Sequence, residues 1–184
     1  MPHGHLHIGW ARGDITPPRK TLLQGQFHAR IAAETLSPLT ATALALAVKG
    51  DNGDIEQAVM LSCDLCAEIV KPALLEALAG RCPGFDLSKL SVNGTHTHTG
   101  PTTVSGIYEE PVDDPDFMAP DRCREWLADK LAGIVAAAWQ DRKPGALSRG
   151  FGYAVVGRCR RAVYADGSAQ MYGETARQDF QGFE

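Results

Sequence analysis

Ser91-Val92-Asn93-Gly94-Thr95-His96-Thr97-His98-Thr99-Gly100-Pro101 is a polar, β-prone run that holds two of the chain's six histidines and stops at a Gly-Pro pair. Successive side chains of a strand point to opposite faces. His96 and His98 are therefore expected on one face, with Cα atoms about 6.5 Å apart at ~3.3 Å of rise per residue. That spacing suits two imidazoles converging on one ion, or one imidazole on the ion and the other at its substrate. Gly100 and Pro101 break the strand and open a loop, where α/β proteins place their chemistry. The plain alternative is a solvated edge strand, since Thr favours strands and His is tolerated on them.

Upstream of this stretch, Thr40 to Val48 and Ala58 to Asp64 are apolar runs separated by the turn cluster Gly50-Asp51-Asn52-Gly53-Asp54, which predicts a β-hairpin. Continuous apolar strands are usually covered on both faces, so helices are expected over the sheet. Ala67 to Ala79 reads as a helix with its start blurred by Pro72 and its stop at Gly80. Leu87 to Thr95 reads as the strand that delivers the histidines. Strand, helix and strand in this order call for a right-handed parallel crossover, which brings Asp64 and His96 to one sheet edge. Asp64 there could orient a histidine, or cap the next helix and fix its loop. The fold class is α/β: a mixed β-sheet with a β-α-β crossover and helices packed on it, expected as one incomplete domain over residues 1–184.

The flanking segments are read in the same way. His3, His5 and His7 would share a face if extended, as in a metal-binding tract, but a frayed terminus leading into a strand at 6–11 is the simpler reading, because terminal residues are usually poorly ordered. Arg19 to Pro38, which includes His28, is a long loop with a weak helix at 29–35, and long loops in compact domains tend to be functional. The acidic run Glu109, Glu110, Asp113, Asp114 and Asp116 could supply metal ligands and also reads as a solvated loop. Asp121 is expected to cap a helix over 122–141, with Trp126, Leu127, Leu131, Ile134, Val135, Ala138 and Trp139 as its apolar stripe. A strand at 147–156 and a hairpin at 162–172 around Asp166-Gly167 complete the chain.

The chain has 184 residues, 44% of them apolar, enough for one sizeable core. No apolar run approaches the ~20 residues of a membrane span, and no basic-then-apolar leader opens the sequence, so a cytoplasmic location is expected. A net charge of −4 without a basic cluster argues against a nucleic-acid partner. Five cysteines, without regular spacing, argue against a disulfide framework. Cys63-x-x-Cys66 raises a thiol-redox reading, although Asp-Leu is an unusual spacer and Cys63 falls in a buried strand.

Ile8-Gly9-Trp10-Ala11-Arg12-Gly13-Asp14-Ile15-Thr16-Pro17, Met60-Leu61-Ser62-Cys63-Asp64-Leu65 and Thr95 to Pro101, in that order, resemble the N-terminal part of the neutral/alkaline (non-lysosomal) ceramidase family. The resemblance runs from about residue 7 to the chain end and is most specific at Thr95 to Pro101. It implies a zinc-dependent amide hydrolase acting on a small-molecule or lipid N-acyl substrate, with Zn²⁺ as cofactor. By the same resemblance His96 is the zinc ligand, and His98 stabilises the transition state or transfers a proton. Within Arg158-Cys159-Arg160-Arg161, Arg160 faces the substrate, with Arg158 as second choice. Thr99 stands where the family has Ser, and Thr102-Thr103 replace glycines, so the loop is bulkier and the substrate is left open between ceramide and a smaller N-acyl compound or ester. The family's other ligands, a His, a Glu and a Tyr, come from later in a much longer chain, so an N-terminal fragment, inactive alone, is expected. The rival readings are a thiol-redox protein using Cys63 and Cys66, and a non-catalytic domain of the same fold.

Overall fold

The computed structural model describes residues 5–49, 55–111, 114–157 and 159–184. It divides into two compact units, Met1–Ala146 and Leu147–Glu184. The first is built on a five-stranded mixed sheet of order β4-β3-β2-β1-β5. β1 (His5–Asp14), β2 (Thr40–Lys49) and β3 (Ile55–Cys63) are antiparallel neighbours, β4 (Leu90–Gly94) runs parallel to β3, and β5 (Lys143–Pro144) adds a short edge on β1. The hairpin of β2 and β3 is as expected, and its turn cluster lies outside the described residues.

Two helices cover one face. α1 (Lys71–Ala77) is shorter than the expected 67–79, because Pro72 belongs in a first helical turn and fixes the start there. α2 (Pro120–Gln140) follows the expected stripe: Leu127, Leu131, Val135, Ala138 and Trp139 are buried. Trp139 donates its indole N–H to the Pro83 carbonyl at 3.0 Å and packs on Phe85. Asp121 is not the cap. Ala119 occupies that position without a side-chain bond, and Asp121 sits in the first turn paired with Arg124 at 2.8 Å.

The sheet meets α2 with small residues. Ala41, Ala43 and Ala45 are buried, and a Cβ at Gly9 would collide with the Ala138 carbonyl, so the helix can approach only where β1 has no side chain. Val59, Leu61, Cys63, Leu90 and Val92 complete the core. The opposite face is uncovered within this unit: Trp10, Leu44 and Met60 form a cross-strand row in which Trp10 is 61% and Met60 51% exposed. Helices pack on the sheet as expected, but the burial expected on both faces is met on one. The runs are apolar on both sides, but α1 and α2 lie on one.

The second unit is a three-stranded antiparallel sheet, β7 (Ala169–Met171), β6 (Arg161–Tyr164) and β8 (Phe180–Phe183). The expected hairpin at Asp166-Gly167 is present, with Gly167 at φ 79. Residues 147–156 form no strand. They are exposed and lack a ladder partner among the described residues, and an extended segment without one has nothing to satisfy its backbone.

Leu131→Ala should cost about 2–5 kcal/mol of unfolding free energy, against roughly 0.5 or less for Met60→Ala. Urea unfolding followed by circular dichroism measures both, and equal losses would show that the α2 face is not the core.

Candidate metal and catalytic centre

Because β3 and β4 are parallel, both end at one sheet edge, and the backbone continues the pairing a little further. Thr95 N–H bonds the Cys63 carbonyl at 2.9 Å and His96 N–H the Leu65 carbonyl at 3.0 Å. The ladder stops there, so His96 and His98 lie beyond the strand, not on its face. His96 adopts φ 63, the left-handed region that side chains other than glycine seldom occupy. The alternation of an extended strand therefore does not bring the histidines together; a local turn does.

The ring geometry is defined by two contacts. His96 Nδ1 is 2.7 Å from the Cys66 carbonyl oxygen. A carbonyl can only accept, so Nδ1 carries the proton and Nε2 keeps its lone pair. That Nε2 faces His98 Nε2 at 3.4 Å, with ring centroids 5.0 Å apart and the planes nearly perpendicular. Cys66 Sγ lies 3.7 Å from His96 Nδ1. One donor atom from each of Cys66, His96 and His98 falls within 4.8 Å of the others, and Cys66 is buried. Sequence reasoning passed over Cys66 as a metal donor; its only signal was its place two residues after Asp64, at the end of the strand paired with the histidine strand.

The long loop 19–38 closes on the second histidine. Gln24 N–H bonds the Gly100 carbonyl at 3.0 Å, Thr102 N–H the Leu22 carbonyl at 2.8 Å, and the Arg30 guanidinium donates to the His98 carbonyl. Gly25, at φ 104, rests against the His98 ring; a Cβ there would fall 2.6 Å from ring Cδ2. No helix forms at 29–35, because Leu23 N–H bonds the Arg30 carbonyl and Ala32 N–H the Thr21 carbonyl, which holds the segment extended. His28 is exposed on this loop.

Asp64 fixes the loops and does not touch an imidazole. Its Oδ2 accepts from Thr40 N–H at 2.8 Å and Thr40 Oγ1 at 3.0 Å, and its Oδ1 from Thr95 Oγ1 at 3.2 Å. In the acidic run, Asp114 pairs with Lys20 at 3.0 Å, and that hydrogen bond holds its carboxyl below the usual range. None of Glu109, Glu110, Asp114 and Asp116 joins the Cys66, His96 and His98 group, and Asp113 lies outside the described residues. His5 and His7 belong to β1, whose His5 pairs with Lys49, at the sheet end remote from Gly94; His3 lies outside the described residues. Arg160, in the second unit, is exposed with its guanidinium 5.7 Å from the Tyr172 ring, and Arg158 lies outside the described residues.

The two cysteines of Cys63-x-x-Cys66 serve different surroundings. Cys63 Sγ–H points at the Asn93 carbonyl, 3.5 Å away, and burial pushes its thiol up to about 11. A reactive redox cysteine needs the opposite shift.

A solved structure of neutral ceramidase from Pseudomonas aeruginosa overlays 88% of this chain with a TM-score of 0.56 at 16% sequence identity. The chain shares its fold with that enzyme. A second structure, a ceramidase complexed with C2, overlays the same share at 17% identity with a TM-score of 0.48. The chain spans 23% of the length of each. No protein-family profile and no curated protein sequence matches it. Among the described residues no helix is long and apolar enough to cross a membrane.

Cys63 and Cys123 are held protonated by desolvation, at about 11 and about 12, above the ordinary value of 9.0. Raised folded-state values mean that the stability is intact below pH 9.0 and drains away as pH rises toward 11. The expected slope is about 1.4 kcal/mol per pH unit per thiol, flattened in Cys123→Ala; unfolding between pH 8 and 11 measures it. Separately, Asp64→Ala strands the Thr40 amide and should cost about 1–3 kcal/mol in urea unfolding.

Proposed function

We propose that this chain forms part of a zinc-dependent amidohydrolase of the ceramidase type, acting on an N-acyl substrate. The observation that carries the proposal is the pair of imidazole Nε2 atoms facing each other at 3.4 Å beyond the ends of β3 and β4. With its lone pair free, His96 Nε2 can hold zinc while the His98 ring, 3.4 Å away, stands beside the space next to that ion, which suits one imidazole on the metal and the other at the reacting water. When bound, zinc supplies Lewis-acid polarisation of a carbonyl and acidifies a water to a pKa of about 7.

The residues of the chain do the rest. His96 offers Nε2 to the ion because its Nδ1–H is anchored on the Cys66 carbonyl, a second contact that fixes both tautomer and ring plane. His98, held from below by Gly25 and through its carbonyl by Arg30, takes the proton from the attacking water and returns it to the leaving amine. Arg160 donates its fork to a substrate oxygen, a role that rests on the sequence resemblance alone. The fold shared with a neutral ceramidase supports the reaction class, and ceramide is one candidate for the N-acyl substrate.

In the full-length enzyme, His96→Ala should remove both zinc and hydrolysis, whereas His98→Ala should keep zinc and lower kcat by about 10²–10⁴-fold. Metal analysis beside turnover of an N-acyl sphingoid and a short N-acyl amine tests this; zinc retained in His96→Ala overturns the ligand assignment.

A further inference from the structure

We infer that Tyr172 positions Arg160: the tyrosine ring holds one face of the guanidinium and leaves its forked N–H edge free for a substrate oxygen. The inference rests on the substrate role proposed above for Arg160 and adds the residue that aims it. Its basis is a strained backbone that carries an exposed aromatic ring. Tyr172 adopts φ 57, and among the described residues His96, at φ 63, is the only other non-glycine in the left-handed region. Such strain persists only where the surrounding structure imposes it, and it gathers at functional positions. At His96 it turns an imidazole toward the candidate centre. At Tyr172 it sends out a ring that is 79% exposed and makes no hydrogen bond among the described residues, so neither burial nor a bonded hydroxyl accounts for a tyrosine there.

Packing asks for a glycine one residue later instead. A Cβ at Gly173 would fall 2.3 Å from Tyr164 Oη and 2.8 Å from the Ala162 Cβ, so the chain there lies close against β6. Position 172 has only to turn the backbone, which a glycine would do without strain. What the tyrosine adds is its contact with Arg160, whose guanidinium carbon stands 5.7 Å from the ring centroid, inside the ~6 Å reach of a cation–π pair. Arg160 also differs from its neighbours in charge pairing. Arg161 is bound to Glu184 at 2.7 Å and Arg177 to Asp179 at 2.6 Å, whereas Arg160 has a ring and no carboxylate among the described residues. A ring engages the flat face of a guanidinium and leaves the in-plane donors free. Those donors suit the carbonyl oxygen of an amide, or the two oxygens of the carboxylate that its hydrolysis releases.

Steady-state kinetics of the full-length enzyme on an N-octanoyl amine, with octanoate as product inhibitor, separates positioning from a merely structural role. Tyr172→Ala should raise KM and the octanoate inhibition constant by about 2–5-fold at unchanged kcat. Tyr172→Phe, which keeps the ring, should restore both. Tyr172→Gly should match Tyr172→Ala in KM yet unfold at a higher urea concentration, because glycine removes the strain. In an Arg160→Ala background Tyr172→Ala should add nothing, since it acts through that residue. A raised KM in Arg160→Ala with none in Tyr172→Ala overturns the inference and leaves the role of Arg160 in place. An unchanged KM in Arg160→Ala overturns that role and the inference together. Independently of turnover, nuclear magnetic resonance of the chain should show the Arg160 side-chain protons shifted upfield by the ring in the wild type and Tyr172→Phe but not in Tyr172→Ala; no such shift in the wild type overturns the contact.

Discussion

Parallel strands must finish at the same edge of a sheet, and the pairing of β3 with β4 imposes that constraint on Asp64, Cys66, His96 and His98. Cys63 pairs with Gly94, so the chain segments beginning at Asp64 and Thr95 start side by side. One carries Asp64 and Cys66, the other His96 and His98. The crossover through α1 is what allows two stretches 30 residues apart to share a hydrogen-bonded rim: Thr95 and His96 amides bond carbonyls of Cys63 and Leu65. Asp64 then ties the rim to β2 through Thr40.

The rim can hold an unfavourable backbone because it is bonded from several directions. A left-handed conformation at a residue such as His96 costs on the order of 1–3 kcal/mol. Its amide and its Nδ1–H each make a hydrogen bond, at 3.0 and 2.7 Å, and each bond contributes roughly 0.5–1.5 kcal/mol net. The two effects are of similar size, so the turn is sustained by the connection after β3 and would relax without it. What it achieves is orientation: the ring nitrogen with the free lone pair is turned toward His98 and away from the protein backbone.

The loop 19–38 complements this from the other side. It is an irregular segment, yet it is pinned to residues 98–102 by backbone bonds at both Leu22 and Gln24. Gly25 leaves room for the His98 ring, and the Arg30 fork reaches the His98 carbonyl. The arrangement has a cost, since Arg30 Nε is buried without a partner among the described residues. Beneath it all, small residues on β1 and β2 let α2 lie close to the sheet, giving the rim a rigid base.

Much of this was legible in order along the chain. Apolar runs, a turn cluster and a helix-compatible segment between Asp64 and Leu87 specify the hairpin and the parallel crossover, because hydrophobic period and turn chemistry are local properties. They also place Asp64 beside the histidines, since parallel topology has no other outcome. What local pattern could not show is which face of the sheet is covered, as strands apolar on both sides read the same whether helices cover one face or two. Nor could it show that His96 and His98 meet through a left-handed turn, that Arg30 and Gly25 arrive from a loop about 70 residues earlier, or that Cys66 points at His96 while Cys63 does not. Those facts depend on distances between segments remote in sequence. Local pattern settles the order of elements and the sheet edge that bears the histidines; which nitrogen, which thiol and which loop face one another there follows from packing between remote segments, because side-chain direction at a strand end is set by the neighbours that satisfy the backbone.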